Sequence, residues 1–509
     1  MRLSGNLLAG LANSIWSALI GLAVVPFYLK YLGIEAYGLI GFFVTTQALL
    51  SLLDMGLAPT INREVARQSA SGNLKEAGKL LHTLAVVYWA MAGVIALVIV
   101  VLAPLIAEYW LQSRQLSQDT VAHALMLMGL VVACRWPVGL YMGALMGMQR
   151  IALSSTIGAV VGTLSSLGAV AVLAFVSPTI GALFIWQAGV GLVYAATMRW
   201  AAWRVVGRLK NIRFDIDKLK QIWRFSAGMS GVAIAGAILM QLDKVLLSRM
   251  LSLEDFGKYS LAGAVTGGLL VLLTPVFNAI YPRFSALVAA GDTEILINLY
   301  RMGTRLLSIV LFPIAILAGV FAEDIVFLWT GNWDISIKLA PIVHLLLIGT
   351  AINGVMIFPF ALQLSYGAVR LPLMICLILI AVSAPMTIIL VMKYGVTGGA
   401  LSWVLMNSVY LLMGSWLTHR VILKGIGFKW LFWDVTVPLA FSLLVIGGAG
   451  EKIHDFGLSH IENAFIAFGI GLFAILVLIL ASPRTVRLLR SSIKESKSHV
   501  EPVIRKEMS

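Results

Sequence analysis

Stretches of about 20 apolar residues, each followed by a short connector, recur from Leu7 almost to the end of the chain. A helix of that length rises about 30 Å, enough to cross the hydrocarbon core of a bilayer, and it satisfies its own backbone hydrogen bonds where no water can. The chain therefore reads as an all-α polytopic membrane protein. Spans are expected near 7–29, 37–58, 80–103, 121–146, 151–176, 179–198, 225–250, 257–281, 303–322, 339–364, 369–392, 396–418, 435–450 and 464–481, fourteen in all. Composition agrees: 60% hydrophobic and 12% charged residues, with a mean hydropathy of +0.95, leave too little polar surface for a soluble body of this length. The thirteenth span is the shortest and closes on Gly447, Gly448 and Gly450, which fit between helices better than against lipid.

Basic residues set the orientation. With the N-terminus in the cytoplasm, and span-end residues counted in the adjoining loop, the cytoplasmic segments hold 28 of the 37 Lys and Arg residues and the outer loops hold 7. Dropping the thirteenth span would move the basic C-terminal tail to the outer side, against this bias. Positive charge is spread over many loops beside helices, which excludes nucleic acid as a partner. The densest cluster holds Arg199, Arg204, Arg208, Lys210, Arg213, Lys218, Lys220 and Arg224. It reads as a stop-transfer anchor between two halves, placed to touch anionic headgroups of membrane lipids. The N-terminal apolar run continues past signal-peptide length without an A-x-A cleavage site, so the first span is expected to be retained. Cys134 and Cys376 both fall within spans and read as small buried apolar residues rather than a disulfide framework.

The chain repeats itself. YLGIEAYGLIGFFV follows the first span and MLSLEDFGKYSLAGAV follows the seventh, with Gly38 and Gly257 in the same place 219 residues apart. Arg63 and Arg283 correspond at an offset of 220. Six spans separate the copies, an even number, so the halves share one orientation and are related by a pseudo-two-fold axis along the membrane normal. The expected organisation is an N-terminal six-helix bundle at 1–204, a basic cytoplasmic linker at 205–224, a C-terminal six-helix bundle at 225–420, two additional helices at 421–482 and a basic cytoplasmic tail at 483–509.

Enzyme chemistry is not written in the chain. The GK pairs at Gly78 and Gly257 lack the preceding glycine and following hydroxyl of a phosphate loop, and no H-E-x-x-H occurs. The closest histidines, His454 and His460, lie in a polar outer loop, so neither a metal site nor a cofactor is expected. The outer loops around 104–120 and 323–338 are too short for an active site outside the membrane.

Polar groups inside the apolar spans carry the functional signal, because an ionised side chain at mid-helix costs roughly 2.5–3.5 kcal/mol and needs a partner or water. Arg135 lies near the middle of the fourth span with Pro137 two residues on. Its permanently charged, planar guanidinium suits phosphate or carboxylate, and the alternative is an internal pair with Asp243 or another helix. Asp243 and Lys244 are neighbours in the seventh span; side chains at such spacing point about 100° apart, so one is expected inward and the other snorkelling. Asp243 is the candidate for coupling to a proton or sodium ion, and Lys244 for the lumen. Asp54, at the cytoplasmic end of the second span, is the candidate gate partner of Arg63 or Arg283. Asn13, Ser17 and Gly21 share one face of the first span, and Asn278, Asn353 and Gln363 add amides to the same expected cavity. Gly139, Gly143 and Gly147 form a small-residue stripe for close helix contact, while Pro26, Pro275, Pro313, Pro359 and Pro385 permit bends within spans.

LGIEAYGLIGFF with its repeat LSLEDFGKYSLA, LDKVLLSRM and LLDMGLAPTINREVAR resemble the polysaccharide transporter family. That family includes the O-antigen flippases of the multidrug/oligosaccharidyl-lipid/polysaccharide exporter superfamily. The resemblance implies a flippase of the bacterial inner membrane with both termini cytoplasmic. Its substrate would be an undecaprenyl-pyrophosphate-linked oligosaccharide, carried from the cytoplasmic to the periplasmic leaflet by alternating access. It further implies partners in a polysaccharide polymerase and chain-length machinery. In that setting Arg135 supplies a cation for the phosphates, Arg63 and Arg283 could attract the headgroup, and Trp16, Trp136 and Trp186 could stack on sugars. Three alternatives stay open: a cation-coupled multidrug exporter and a lipid II flippase of the same superfamily, and a membrane glycan polymerase or ligase. The excess of Arg135 and Lys244 over the one acid, Asp243, favours an anionic substrate over a cationic drug.

Overall fold

The computed structural model describes residues 2–54, 56–207, 214–448 and 460–480. Arg208, Lys210, Arg213, His454 and the tail at 483–509, all singled out in the sequence, lie outside them. Nearly all described residues are helical, and no strand occurs among them; one isolated bridge joins Gln112 and Ser252. The helices are α1 (Arg2–Leu50), α2 (Leu57–Ala70), α3 (Leu74–Tyr109), α4 (Gln118–Gly147), α5 (Ile151–Phe175), α6 (Ile180–Val206), α7 (Ile216–Met250), α8 (Leu253–Ala290), α9 (Thr293–Val320), α10 (Ala322–Thr330), α11 (Trp333–Val355), α12 (Ile357–Ser365), α13 (Arg370–Val409), α14 (Ser415–Val421), α15 (Gly427–Lys429), α16 (Val437–Ser442) and α17 (His460–Leu480).

Among the described residues ten helices are long and apolar enough to cross a bilayer, or eleven when the bent α8 counts as one span. The fourteen expected segments do not emerge as fourteen separate helices, and two glycines explain much of the difference. Gly33 in α1 (φ 80°) and Gly395 in α13 (φ 58°) take a backbone conformation that L side chains rarely adopt. Each breaks an otherwise continuous rod between two segments read as consecutive spans. At 49 and 40 residues, α1 and α13 would otherwise exceed the hydrocarbon thickness about twofold.

The chain divides into two compact units, Met1–Val271 with Cys376–Ser402, and Leu272–Ile375 with Trp403–Ser509. In the first, Leu57, Ile61 and Val65 of α2, one every four residues, are buried against Leu81, Leu84 and Tyr88 of α3 and Tyr141, Ala144 and Leu145 of α4. The sequence placed 59–79 in a connector; its first half is instead an amphipathic helix. The close approach depends on glycine: a Cβ at Gly143 would lie 2.7 Å from the Ala58 carbonyl oxygen and one at Gly147 2.5 Å from that of Asn62. Gly139, the third member of the stripe, has no atom in that position.

The two copies of the repeated motif meet face to face in this unit. A Cβ at Gly38 would collide with the Leu253 carbonyl, one at Gly257 with the Ile34 carbonyl, and one at Gly41 with the Ser260 side chain. Ile34 and Leu253, Gly38 and Gly257, and Gly41 and Ser260 are each 219 residues apart. The contact is thus reciprocal, the pattern of a local two-fold axis. Next to it Glu35, 3% exposed, accepts from the backbone N–H groups of Arg114 (2.5 Å) and Gln115 (2.8 Å). Leu253 N–H donates to the Gln112 carbonyl at 2.8 Å and the Trp110 indole to Ser248 Oγ at 3.0 Å. The connector after α3 is thereby tied to both copies of the motif.

In the second unit the segment after α14 is fastened to α9. Arg301 Nε lies 2.7 Å from Asp434 Oδ2 and Arg305 Nη2 lies 2.7 Å from Asp434 Oδ1, with the Asp434 side chain 1% exposed. Arg301 and Arg305, four apart, present both guanidinium groups from one helix face. Trp430 donates to Thr304 Oγ1 at 3.0 Å, and Tyr300 OH lies 3.0 Å from His419 Nε2.

Candidate functional site

In the first unit a cavity of about 270 Å³ is lined by Gln47, Ser51, Asp54, Ala58, Tyr88, Val132, Arg135, Trp136 and Gly139. Its walls follow from helix spacing. Val132, Arg135, Trp136 and Gly139 recur at intervals of three and four, so one face of α4 points at the cavity, and Gly139 contributes room where Gly143 and Gly147 contribute contact with α2.

Arg135 is half-buried there. Its Nη2 donates to Ser165 Oγ of α5 at 3.2 Å and to Gln187 Oε1 of α6 at 3.3 Å. Gly191 of α6 gives the side chain its space, since a Cβ at that position would stand 3.2 Å from Arg135 Cγ. Both partners are neutral. Among the described residues no carboxylate lies within ion-pair distance of Arg135, and its Nη1 and Nε have no protein acceptor. Of the internal partners that the sequence left open, Asp243 pairs with Lys244 instead, while helices α5 and α6 do hold the guanidinium through Ser165 and Gln187. The neighbouring indole N–H of Trp136 is also buried without an acceptor.

Asp54 sits on the same cavity but its oxygens are taken. Tyr88 OH donates to Oδ1, and the Ala58 N–H donates to Oδ2 at 3.2 Å, which tethers the start of α2. Arg63, its expected partner, is exposed on α2, and Asp54 forms no ion pair with it; Arg283 is exposed on α8. Asp243, 7% exposed, accepts from Tyr259 OH at 2.5 Å, while Oδ1 has no hydrogen bond and lies 4.0 Å from Lys244 Nζ. Lys244 itself donates to the Met240 carbonyl at 3.2 Å. Asn13 is half-buried, with its Oδ1 unpartnered, against Gly158 of α5.

The second-unit amides are engaged between helices. Asn353 Nδ2 donates to Asn407 Oδ1 at 2.7 Å, and Gln363 Nε2 donates to Thr418 Oγ1 at 2.7 Å. Such bonds join helices in an apolar medium, and Gln363 at 1% exposure meets no open lumen in this state. Asn278 is exposed. Sequence reasoning missed Ser165, Gln187, Tyr88 and Tyr259, which are hydroxyls and an amide of ordinary span composition with no signal of their own. The Arg301–Arg305–Asp434 cluster was legible in principle, as two arginines at i, i+4 and a lone acid heading an apolar run.

Comparison with known proteins bears on family and fold. A model of the family described as polysaccharide biosynthesis protein matches residues 6–288. A putative O-antigen transporter of Shigella flexneri is 22% identical over 423 residues, covering 80% of this chain and 97% of the relative. The succinoglycan biosynthesis transport protein of Rhizobium meliloti (strain 1021) is 25% identical over 325 residues, covering 60% of this chain and 62% of the relative. Among solved structures the lipid II flippase MurJ in an inward closed conformation has the same fold, with a TM-score of 0.69 at 14% identity over 92% of this chain and 97% of that one. With more than half of its length matched by the family model, the chain belongs to the polysaccharide biosynthesis protein family.

Proposed function

We propose that this multi-pass membrane protein is a flippase for lipid-linked oligosaccharide, with Arg135 as its phosphate ligand. A diphosphate and sugar headgroup cannot enter hydrocarbon unaided, so the protein must offer a polar path with cationic donors while the polyprenyl tail stays in lipid. The observation that carries the reading is the guanidinium of Arg135. It lines a cavity, is oriented through Nη2 by two neutral acceptors, and among the described residues its Nη1 and Nε have no protein acceptor. A half-buried cation with no carboxylate beside it among the described residues suits an anion, and its planar donor edge fits phosphate oxygens in pairs.

The relatives' names support polysaccharide transport as the context. In this reading the substrate is undecaprenyl-pyrophosphate-linked, the membrane is the bacterial inner membrane, and both termini are cytoplasmic. The bundles at 1–204 and 225–420 alternate access to the two leaflets. Polymerase and chain-length proteins act on the delivered unit. Asp243 and Lys244 remain the candidates for ion coupling and a second lumen cation, with Asp54, Arg63 and Arg283 at the inner mouth.

The test compares cells with and without the gene by mass spectrometry of polyprenyl-linked sugars, separating the periplasm-exposed pool from the total. Loss of the gene should trap one undecaprenyl-pyrophosphate oligosaccharide on the cytoplasmic side, and Arg135→Ala should fail to release it at normal levels of folded protein. A hydrogen bond to a charged group is worth about 1.5–3 kcal/mol, so loss of the guanidinium should lower transport by about 10- to 150-fold. Full complementation by Arg135→Ala removes that residue from the site. Unchanged pools with lost tolerance to cationic drugs would replace the flippase with an exporter.

A further inference from the structure

The stretch from Trp416 to Trp433 is built differently on its two sides. Inward, it is bolted to α9: Tyr300 stacks on Trp430 with ring centroids 5.9 Å apart and meets His419 at 5.7 Å, Trp430 bonds Thr304, and Asp434 holds Arg301 and Arg305. Outward, four large aromatic side chains are exposed, Trp416 at 55%, Phe428 at 79%, Phe432 at 42% and Trp433 at 53%. Phe428 stacks on Phe432 at 5.9 Å, and Phe432 meets Trp433 edge-on at 5.1 Å. Arg420, Lys424 and Lys429 are exposed among them, with the Arg420 guanidinium 5.2 Å over the Trp416 ring.

Charge on this surface has one sign. The sequence holds no Asp or Glu between Asp334 and Asp434, and Asp434 is consumed by two arginines. None of Arg420, Lys424 and Lys429 has a carboxylate partner among the described residues. Tryptophan, apolar with one polar N–H, seeks the boundary between headgroups and acyl chains, phenylalanine beside it packs against the upper chains, and cations among them face the phosphate layer. A flexible basic loop would serve positive-inside topology equally well. A platform fixed at five points, with cations spaced between exposed rings, also offers geometry.

We infer that the Trp416–Trp433 platform is a binding site for anionic phospholipid, with Arg420, Lys424 and Lys429 holding the headgroup phosphate and the exposed aromatic rings lying along the upper acyl chains. The leaflet is the cytoplasmic one under the topology proposed above; the site itself does not depend on which substrate is flipped. Its occupant is a resident bilayer lipid.

The probe is phosphatidylglycerol against phosphatidylethanolamine of the same acyl chains, added to the full chain in detergent and counted as retained adducts by native mass spectrometry. That measurement is blind to sidedness and to transport, so its failure and the failure of the flippase reading are separable. The intact protein should retain phosphatidylglycerol preferentially and lose it between 0.05 and 0.5 M salt, as surface charges are screened. At about 1 kcal/mol for each basic residue near an anionic surface, the triple variant Arg420→Gln, Lys424→Gln, Lys429→Gln should bind about a hundredfold more weakly. The charge-keeping Arg420→Lys, Lys424→Arg, Lys429→Arg should bind within a few-fold of wild type. Equal retention of both lipids, salt-independent binding by the unaltered chain, or retention of undecaprenyl phosphate in place of phosphatidylglycerol would each overturn the site.

Discussion

Replacing Asp434 by Asn separates charge from shape at the point where the C-terminal segment is held. The wild-type carboxylate takes Arg301 Nε at 2.7 Å and Nη2 at 3.4 Å, and Arg305 Nε at 2.9 Å and Nη2 at 2.7 Å. An amide of the same size keeps one acceptor oxygen, turns the other position into a donor facing guanidinium N–H groups, and leaves two cations in half-buried positions without a counter-ion. Breaking a buried ion pair from one side costs about 3–5 kcal/mol. At about 2–4 °C per kcal/mol for a unit of roughly 150–250 residues, the midpoint of heat-induced loss of monomer should fall by about 10 °C. Fluorescence-detected size exclusion of the detergent-purified protein after graded heating reads that midpoint. A second variant discriminates the cause. Arg301→Met, Arg305→Met, Asp434→Leu removes all the charges together and should recover most of the loss, because a buried ionic cluster and a well-packed apolar one are often close in stability. An unchanged midpoint in Asp434→Asn would refute the clamp. A triple variant no better than the single one would show that shape, and not charge, holds the segment.

Two further outcomes test the glycine contacts. Gly143→Ala, whose methyl would press on the Ala58 carbonyl, should cost about 1–3 kcal/mol and lower the folded yield. Gly139→Ala, with open space at that position, should fold normally by the same heating assay; equal behaviour of the two would refute the division of labour along α4. In a chain freed of Cys134 and Cys376, Gly41→Cys with Ser260→Cys should crosslink under mild oxidant, visible as a mobility shift after cleavage between the two halves, once the helices part by the roughly 1 Å that separates the 2.6 Å between these Cβ positions from disulfide spacing. Transport should stop on oxidation and return with reductant; undiminished transport in the crosslinked protein would mean these helices stay together throughout the cycle.

Hydropathy made most of the helical architecture legible, because lipid imposes a length on the apolar segments that recur from Leu7 onward. The repeat was visible through Gly38 and Gly257 for a comparable reason: helices crossing at backbone distance tolerate only glycine, so the position is marked in both copies. Where segments join was less visible. Gly33 and Gly395 break their rods through φ alone, and nothing in their neighbours announces it. The cavity was legible to the extent that one residue, Arg135, is costly enough to stand out. Its holders Ser165 and Gln187 are not, since a hydroxyl or an amide in a span serves packing as readily as orientation. Gln363 and Asn353 illustrate that ambiguity, both being spent on bonds between helices.

The reciprocal meeting of the two motif copies has a consequence for ancestry. A surface on which Gly38 meets Leu253 while Gly257 meets Ile34 is one that two identical half-length chains could have used to pair. Such a half would have been a homodimer in which every substitution struck both sides of the contact at once. Fusion into one chain releases that constraint, and the copies already differ. Ser260 stands opposite Gly41, and of the two equivalent acids Glu35 now caps the connector at Arg114 and Gln115, while Glu254 pairs with Lys258 at 2.8 Å. The same carboxylate position thus serves as a tether in the first copy and as half of a partly buried ion pair in the second.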